Sequence, residues 1–88
     1  MFTGIVQELL TITALTPGTP TLVSLTLPQW GDEWGKPVVG ESILLHGICS
    51  TVTQVTEQDF TVEYMVETLQ RTNVGDWKVA DQIHAEPA

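Results

Sequence analysis

Apolar and polar side chains alternate over several short segments of the chain, which is typical of β-strands that are buried on one face. The clearest case is the segment 21–27, in which Val23, Leu25 and Leu27 alternate with small hydroxyl-bearing residues. The segment 60–65 shows the same alternation. Valine and threonine are frequent throughout, and their branched side chains favour pleated, half-buried surfaces over helices. The pattern therefore predicts a chain that is built mainly from strands.

Four further strands are predicted, and each has a recognisable boundary or irregularity. They span residues 5–15, 40–49, 50–55 and 81–86. Leu9 and Leu10 interrupt the alternation of the first strand and predict an irregularity there. Gly47 predicts a bend or a bulge at the end of the 40–49 strand. Residues 16–20, with two prolines and a glycine, and residues 57–59 are predicted turns.

The segment 66–72 has a different pattern and is predicted as one or two helical turns. Glu67 and Arg71 lie four residues apart, the spacing at which opposite charges meet on a helix. Asn73 and Gly75 then end the helix. Six short strands at regular spacing with one short helix predict an all-β fold, a closed antiparallel barrel. Closure also removes the exposed strand edges that a chain rich in threonine and valine would otherwise present.

Length and composition fit one small folded domain that spans residues 1–88. Hydrophobic residues make up 42% of the chain and charged residues 16%, which excludes a charge-driven disordered chain. The formal net charge of −8 would repel a phosphate backbone, so we expect no nucleic-acid partner. The small core favours self-association, and we expect a homo-oligomer, most simply a dimer.

Cysteine usage and the apolar runs predict the compartment. A single cysteine, Cys49, excludes an intramolecular disulfide, and without a C-x-x-C pair a thiolate zinc site is excluded as well. The N-terminal segment lacks the early Lys or Arg of a secretory signal, and no apolar run is long enough to span a bilayer. We therefore expect a cytoplasmic protein without a membrane partner or a metal.

The spacing of chemically reactive side chains predicts little catalysis. His46 and Cys49 are three residues apart, so on a regular strand they would point to opposite faces and form a catalytic pair only if Gly47 made a bulge. His84 and Asp81 have the same odd separation. No glycine-rich phosphate loop and no G-x-S-x-G turn is present.

Two other pairs of side chains have both a structural and a functional interpretation. Glu63 and Glu67 are interpreted as solvated surface charges rather than as a catalytic carboxylate pair. Trp30 and Trp34, in the irregular stretch 28–39, either cap an open end of the barrel or form an exposed contact surface. Capping is favoured because indoles bury most of their area.

Four motifs, in order along the chain, resemble riboflavin synthase and its relatives, the lumazine-binding barrel proteins. Residues 1–6, MFTGIV, are similar to the start of that family. VGESI at 39–43 and GICSTV at 47–52 resemble its G-x-S-V…N-G-x-C-L-T-V segment. MVETLQRTNVG at 65–75 resembles its M-x-E-T-L-x-x-T-N-L-G run, the most specific of the four. Residues 77–86 are similar to its closing K-x-G-D-x-V-N-L-E.

The resemblance implies a fold and an activity. The family fold is a six-stranded Greek-key barrel that normally occurs twice in each chain. Riboflavin synthase transfers a four-carbon unit between two molecules of 6,7-dimethyl-8-ribityllumazine and yields riboflavin and a pyrimidinedione, without a metal or redox cofactor. Each barrel is a half-site, and catalysis requires two half-sites that face each other. We therefore expect riboflavin or the lumazine as the ligand of this chain, with no required cofactor.

The resemblance also implies ligand-binding residues. Thr51 matches a threonine whose hydroxyl binds the heterocycle, and Thr68 matches one near the ribityl chain and the ring. Glu63 and Met65 match strand positions whose backbone groups pair with the pyrimidine edge. Hydroxyl and backbone groups suit such a ligand, because a pteridine presents fixed donors and acceptors that can be met without importing charge.

Catalytic and interface residues are implied in the same way. Cys49 matches a cysteine beside the ring and is a candidate catalytic residue, although a free cysteine is also typical of a small buried hydrophobe. Ser42 matches a serine associated with the site and is a second catalytic candidate. Phe2 and Thr3 match an N-terminal segment that approaches the ligand of the neighbouring barrel.

Departures from the family pattern leave three functions open. His46 stands where the family usually has Asn, and Ser50 where it usually has Leu. The resemblance moreover covers one barrel of two. The chain is then a module that binds riboflavin or the lumazine, an enzyme whose two identical half-sites face each other in a homodimer, or a ligand-free barrel that contacts proteins through Trp30 and Trp34.

Overall fold

The computed structural model describes residues 8–28 and 37–87 of the chain. Four residues with predicted roles, Phe2, Thr3, Trp30 and Trp34, lie outside the described residues.

Six antiparallel strands form a closed barrel, which confirms the predicted fold class. The strands are β1 (Glu8–Thr16), β2 (Thr21–Thr26), β3 (Ser42–Leu45), β4 (Ile48–Val55), β5 (Asp59–Tyr64) and β6 (Gln82–Pro87). Their order around the barrel is β1-β2-β5-β4-β3-β6. Strands β3, β4 and β5 follow one another as hairpins and β2 lies beside β5, which is a Greek key.

The connection between β5 and β6 carries the helix that the sequence predicts. Helix α1 spans Val66–Arg71 and is followed by a single 3₁₀ turn at Val74–Asp76. Among the described residues, no helix is long and apolar enough to cross a membrane.

Inward-facing side chains of all six strands fill the barrel. The alternation that predicts β2 appears directly in its burial, because Thr21, Val23 and Leu25 are buried and the residues between them are half-buried. Fourteen hydrophobic residues form one buried cluster: Leu10, Ile12, Val23, Leu25, Ile43, Leu45, Val52, Phe60, Val62, Tyr64, Val74, Trp77, Ile83 and Ala85.

The irregularity predicted at Leu9 and Leu10 is wrong in position. Leu10 and Ile12 keep the alternation and are both buried, while Leu9 points outward and is 49% exposed. The register with β2 shifts between Ile12 and Ala14 instead. An apolar residue on the outer wall, rather than a bulge, therefore explains the Leu-Leu pair.

The bend or bulge predicted at Gly47 is a tight turn, and the 40–49 strand ends earlier than predicted. Leu45 pairs with Ile48, so His46 and Gly47 form a two-residue hairpin loop between β3 and β4. Both have positive φ, 51° and 80° respectively. This is the type I′ geometry that fits the twist of antiparallel strands and that glycine adopts without steric cost.

Trp77 closes the barrel at the end where β5 leads into α1. Its side chain is 6% exposed and belongs to the core cluster. The indole packs edge-to-face against Tyr64 at 5.8 Å and against His46 at 5.9 Å, measured between ring centroids. The sequence analysis assigned the capping role to Trp30 and Trp34 and missed Trp77.

Candidate functional site

Three of the predicted site residues lie side by side on the outer wall of the barrel. Ser42 on β3 is directly opposite Thr51 on β4, and Thr51 is directly opposite Glu63 on β5. Ser42 is half-buried and the other two are exposed, so all three side chains face outward. Directly opposed side chains have Cβ atoms about 5 Å apart. Residues far apart in sequence thus form one continuous row.

Two more predicted residues lie beside this row, two positions away along the chain and on the same face. Cys49 and Met65 lie two positions from Thr51 and Glu63, and side chains at that spacing share a face of the sheet. Cys49 is exposed and Met65 is 56% exposed. We call the set Ser42, Cys49, Thr51, Glu63 and Met65 the site face.

Helix α1 begins directly after the site face. Met65 precedes the helix, and its carbonyl accepts a hydrogen bond from the Leu69 N–H at 3.1 Å. Thr68 lies on α1, three residues after Met65, and is half-buried. Its carbonyl accepts a hydrogen bond from the Thr72 hydroxyl at 2.7 Å, which helps to end the helix. The strand-to-helix connection therefore places Thr68 in the first turn of the helix that follows the site face.

The site face offers neutral hydrogen-bonding groups. Within residues 8–28 and 37–87, no side-chain hydrogen bond engages the hydroxyls of Ser42 and Thr51. Each hydroxyl can donate one hydrogen bond and accept others. Glu63 contributes the one carboxylate of this face, and the described part of the chain contains no cluster of three metal-ligating side chains. The chemistry fits a neutral, polar ring system better than a cation or a phosphate.

A buried hydrogen bond lies directly behind the site face. The Ser50 and Tyr64 side chains point into the barrel, are 1% and 2% exposed, and have their hydroxyl oxygens 2.6 Å apart. The Ser50 hydroxyl donates to the Ile48 carbonyl at 3.0 Å, so the Tyr64 hydroxyl is the donor to Ser50.

The Tyr64 hydroxyl stays protonated at neutral pH. Burial raises its pKa to about 12, and the hydrogen bond with Ser50 opposes this rise only in part. Removal of the phenol from water disfavours the charged phenolate, which is the dominant effect here. Tyr64 is therefore a neutral hydrogen-bond donor over the whole physiological range.

A shallow, open depression lies beside the site face on the outer wall. His46, Gly47, His84, Ala85 and Glu86 line it, and its volume is about 440 Å³. The two imidazole rings are 5.6 Å apart between centroids. The backbone N–H of His84 donates to the His46 ring nitrogen Nδ1 at 3.3 Å. The backbone N–H of His46 donates to the His84 carbonyl at 2.7 Å.

The position of the depression follows from the register of β3. Leu44 is opposite Glu86 on one side and opposite Cys49 on the other, so one residue separates the depression from the site face. The sequence analysis missed this feature. The signals for it were two departures from the family pattern, His46 in place of the usual asparagine and His84-Ala85 in place of Asn-Leu.

The alternative pairings considered in the sequence are not formed. The His46 ring packs on Trp77 and His84 rather than on Cys49. The Asp81 carboxylate accepts a hydrogen bond from the backbone N–H of Lys78 at 2.9 Å and makes none with His84. These contacts leave both pairings without a hydrogen bond in the part of the chain that the structure describes, as the odd residue separations imply.

Comparison with known proteins gives one consistent family. A family profile described as the lumazine binding domain matches residues 3–88. The whole chain is 34% identical to riboflavin synthase of Saccharomyces cerevisiae and 36% identical to that of Bacillus amyloliquefaciens, of which it covers 39% and 40%. It is also 36% identical to riboflavin synthase of Mycobacterium tuberculosis (strain ATCC 25618 / H37Rv) and covers 43% of it. The chain thus spans about two fifths of the length of these curated relatives.

Proposed function

Because the chain belongs to the lumazine-binding domain family, we propose that it binds riboflavin or 6,7-dimethyl-8-ribityllumazine on the site face as one half-site of the riboflavin synthase type. The observation that carries this proposal is the register Ser42–Thr51–Glu63, which brings predicted site residues of three separate strands into one row. Binding requires no metal and no redox cofactor.

The site face is exposed enough to receive a planar ring, and its hydroxyls suit the ring's edge. Thr51 lies in the middle of the row, where its hydroxyl meets a heteroatom of the ring, and Ser42 lies one strand away. Each hydrogen bond of this kind contributes about 1 kcal/mol net, whereas an unmet polar group in a dry site costs about 1–3 kcal/mol. Several such bonds together orient the ligand.

Backbone pairing with the pyrimidine edge is better placed at Met65 than at Glu63. Glu63 is flanked by Leu22 of β2 and Thr51 of β4, so the sheet surrounds its backbone on both sides. Met65 lies one residue beyond the last pair of the sheet, Thr21 with Tyr64, and is more than half exposed. Thr68, one helical turn further, is the proposed contact for the ribityl chain.

The first test is the substitution Thr51→Val, which removes one hydroxyl and keeps the shape of the side chain. Because position 51 is exposed and valine favours strands, the barrel should fold as before. We expect the affinity for riboflavin, followed by quenching of flavin fluorescence, to fall about five-fold, as the loss of one net hydrogen bond implies.

Thr13→Val is the matched control, since Thr13 is an exposed threonine of β1 outside the site face. It should bind riboflavin as tightly as the parent chain. Equal affinity of the Thr51→Val variant and the parent would remove Thr51 from the site.

A second candidate function is catalysis by a homodimer. The site face points outward, so a ring bound there leaves one face open to a second ring. A two-fold axis in front of the site face would bring two equivalent ligands together, and the relatives are riboflavin synthases. This arrangement needs no residue from a second kind of barrel.

Incubation of the purified chain with 6,7-dimethyl-8-ribityllumazine decides between binding alone and catalysis. A homodimeric enzyme releases riboflavin and a pyrimidinedione in equal amounts, and the riboflavin is seen by its absorbance and fluorescence. Its rate per chain should rise with protein concentration until the dimer is saturated. Binding of the lumazine without formation of riboflavin would leave the binding module as the function.

A further inference from the structure

Ser50 and Tyr64 occupy matching positions behind the predicted ligand contacts. Ser50 lies between Cys49 and Thr51 on β4, and Tyr64 lies between Glu63 and Met65. Because side chains alternate along a strand, their neighbours face outward and these two face into the barrel. The 2.6 Å hydrogen bond between their hydroxyls therefore joins the two site strands from the inside.

This bond lies where the pairing of β4 with β5 stops. The paired residues of the two strands run from Val55 with Phe60 to Thr51 with Glu63, and Ser50 and Tyr64 come next. The side-chain bond thus joins the strands one position beyond their last pair, between the level of Thr51 with Glu63 and that of Cys49 with Met65. Tyr64 also makes a T-shaped ring contact with Trp77, at 5.8 Å between ring centroids.

We propose that Ser50 and Tyr64 are positioning residues that fix the separation of β4 and β5 and thereby align the ligand contacts of the site face. The inference rests on the proposed function for its ligand-binding consequence, but the alignment itself is a property of the free protein. The leucine that usually occupies position 50 in the family pattern has no hydroxyl and cannot form this connection. The connection is therefore a feature of this chain's own version of the site.

The donor and acceptor arrangement makes the bond directional. The Ser50 hydroxyl hydrogen is directed to the Ile48 carbonyl of its own strand, and the Ser50 oxygen accepts from Tyr64. Since the Tyr64 hydroxyl remains neutral at physiological pH, the donor is always present. Removal of Ser50 leaves the Tyr64 hydroxyl buried without a partner, whereas removal of the Tyr64 hydroxyl leaves Ser50 bonded to Ile48.

A set of three variants tests the positioning role: Ser50→Ala, Tyr64→Phe and the double variant Ser50→Ala/Tyr64→Phe. The double variant should be more stable than Ser50→Ala, because it leaves no unpaired hydroxyl. Its affinity for riboflavin should nevertheless stay about five-fold below that of the parent, as should that of Tyr64→Phe. A purely structural role predicts the opposite, with the affinity following the stability and recovering in the double variant.

Amide hydrogen exchange of Thr51 and Glu63 provides the readout without a ligand. These residues form the terminal pair of the β4–β5 pairing, and their exchange should be about five-fold faster in Tyr64→Phe than in the parent. Ser24→Ala is the matched control, because it removes another hydroxyl–hydroxyl bond, with Thr61 at 2.7 Å on the outer wall. It should leave the exchange of Thr51 unchanged.

Riboflavin affinity and amide exchange together distinguish a failure of the proposed function from a failure of the positioning role. If the parent does not bind riboflavin but exchange accelerates in Tyr64→Phe, the proposed function is wrong and the alignment role stands. Parent-like exchange of Thr51 and Glu63 in Tyr64→Phe, or parent-like riboflavin affinity in the double variant, would overturn the positioning role.

Discussion

Trp77→Ala is expected to lower the free energy of unfolding by about 3–5 kcal/mol, the range for removal of a large buried aromatic side chain. The indole is 6% exposed, joins the core cluster, and packs against both Tyr64 and His46 at the closed end of the barrel. A domain of this size has only a few kcal/mol of net stability, so a large part of the population should be unfolded at 25 °C. Urea unfolding followed by far-ultraviolet circular dichroism measures the effect.

Trp77→Phe is the matched control for this substitution. Within the described residues the indole N–H has no hydrogen-bond partner, so phenylalanine removes volume but breaks no hydrogen bond. We expect a loss of about 1–2 kcal/mol for this variant. If Trp77→Ala were within about 1 kcal/mol of the parent, well below the range of about 3–5 kcal/mol for a deletion of this size, Trp77 would not be what closes this end of the barrel.

Alkaline pH should destabilise the barrel through Tyr64. Its pKa is about 12 in the folded chain against 10.0 for an unperturbed tyrosine, because burial disfavours the phenolate. Between these two values the folded state keeps the proton while the unfolded state loses it, so stability falls as the pH rises. At about 1.4 kcal/mol per pKa unit, the loss reaches about 2–3 kcal/mol at pH 12, and none of it occurs below about pH 9.

Tyr64 is the only tyrosine of the chain, so its ionisation can be followed directly by the ultraviolet absorbance of the phenolate. The Tyr64→Phe variant lacks the titrating group and should lose less stability than the parent between pH 9 and pH 12. A phenolate that forms near pH 10 in the folded protein, or parallel stability curves for the two proteins, would show that the Tyr64 hydroxyl is not buried.

The fold was predictable because the strands are short, regular and half-buried. The alternation over residues 21–27 predicts β2, which spans Thr21–Thr26, and the helix predicted at 66–72 spans Val66–Arg71. Burial of one face imposes the period of two on each strand, so the pattern carries this information locally. The closed barrel follows from the number of strands and from the cost of exposed edges.

The errors fall where local pattern and tertiary context differ. The sequence His46-Gly47 is a weaker turn signal than Asn-Gly, because asparagine enters the left-handed region more readily, so the hairpin was interpreted as a bend. The outward position of Leu9 depends on its place opposite His84 of β6. Trp77 follows a 3₁₀ turn with no periodic pattern, so its burial could not be inferred from its neighbours.

The candidate site required both the motifs and the register. Family resemblance selects Ser42, Thr51 and Glu63 as separate positions, but it is the pairing of β3, β4 and β5 that makes them neighbours. The Ser50–Tyr64 bond and the depression at His46 were beyond the sequence, since each depends on side chains from two strands. The roles of Cys49 and Ser42 in catalysis, and of Phe2 and Thr3 at a neighbouring barrel, stay predictions.

The most direct test of the proposed function is a fluorescence titration of the purified chain with riboflavin at a concentration of protein well above micromolar. We expect saturable quenching of the flavin, with a dissociation constant that rises about five-fold in Thr51→Val and does not change in Thr13→Val. Flavin fluorescence that stays unchanged throughout the titration of the folded parent chain would contradict the proposal that this barrel is a flavin half-site.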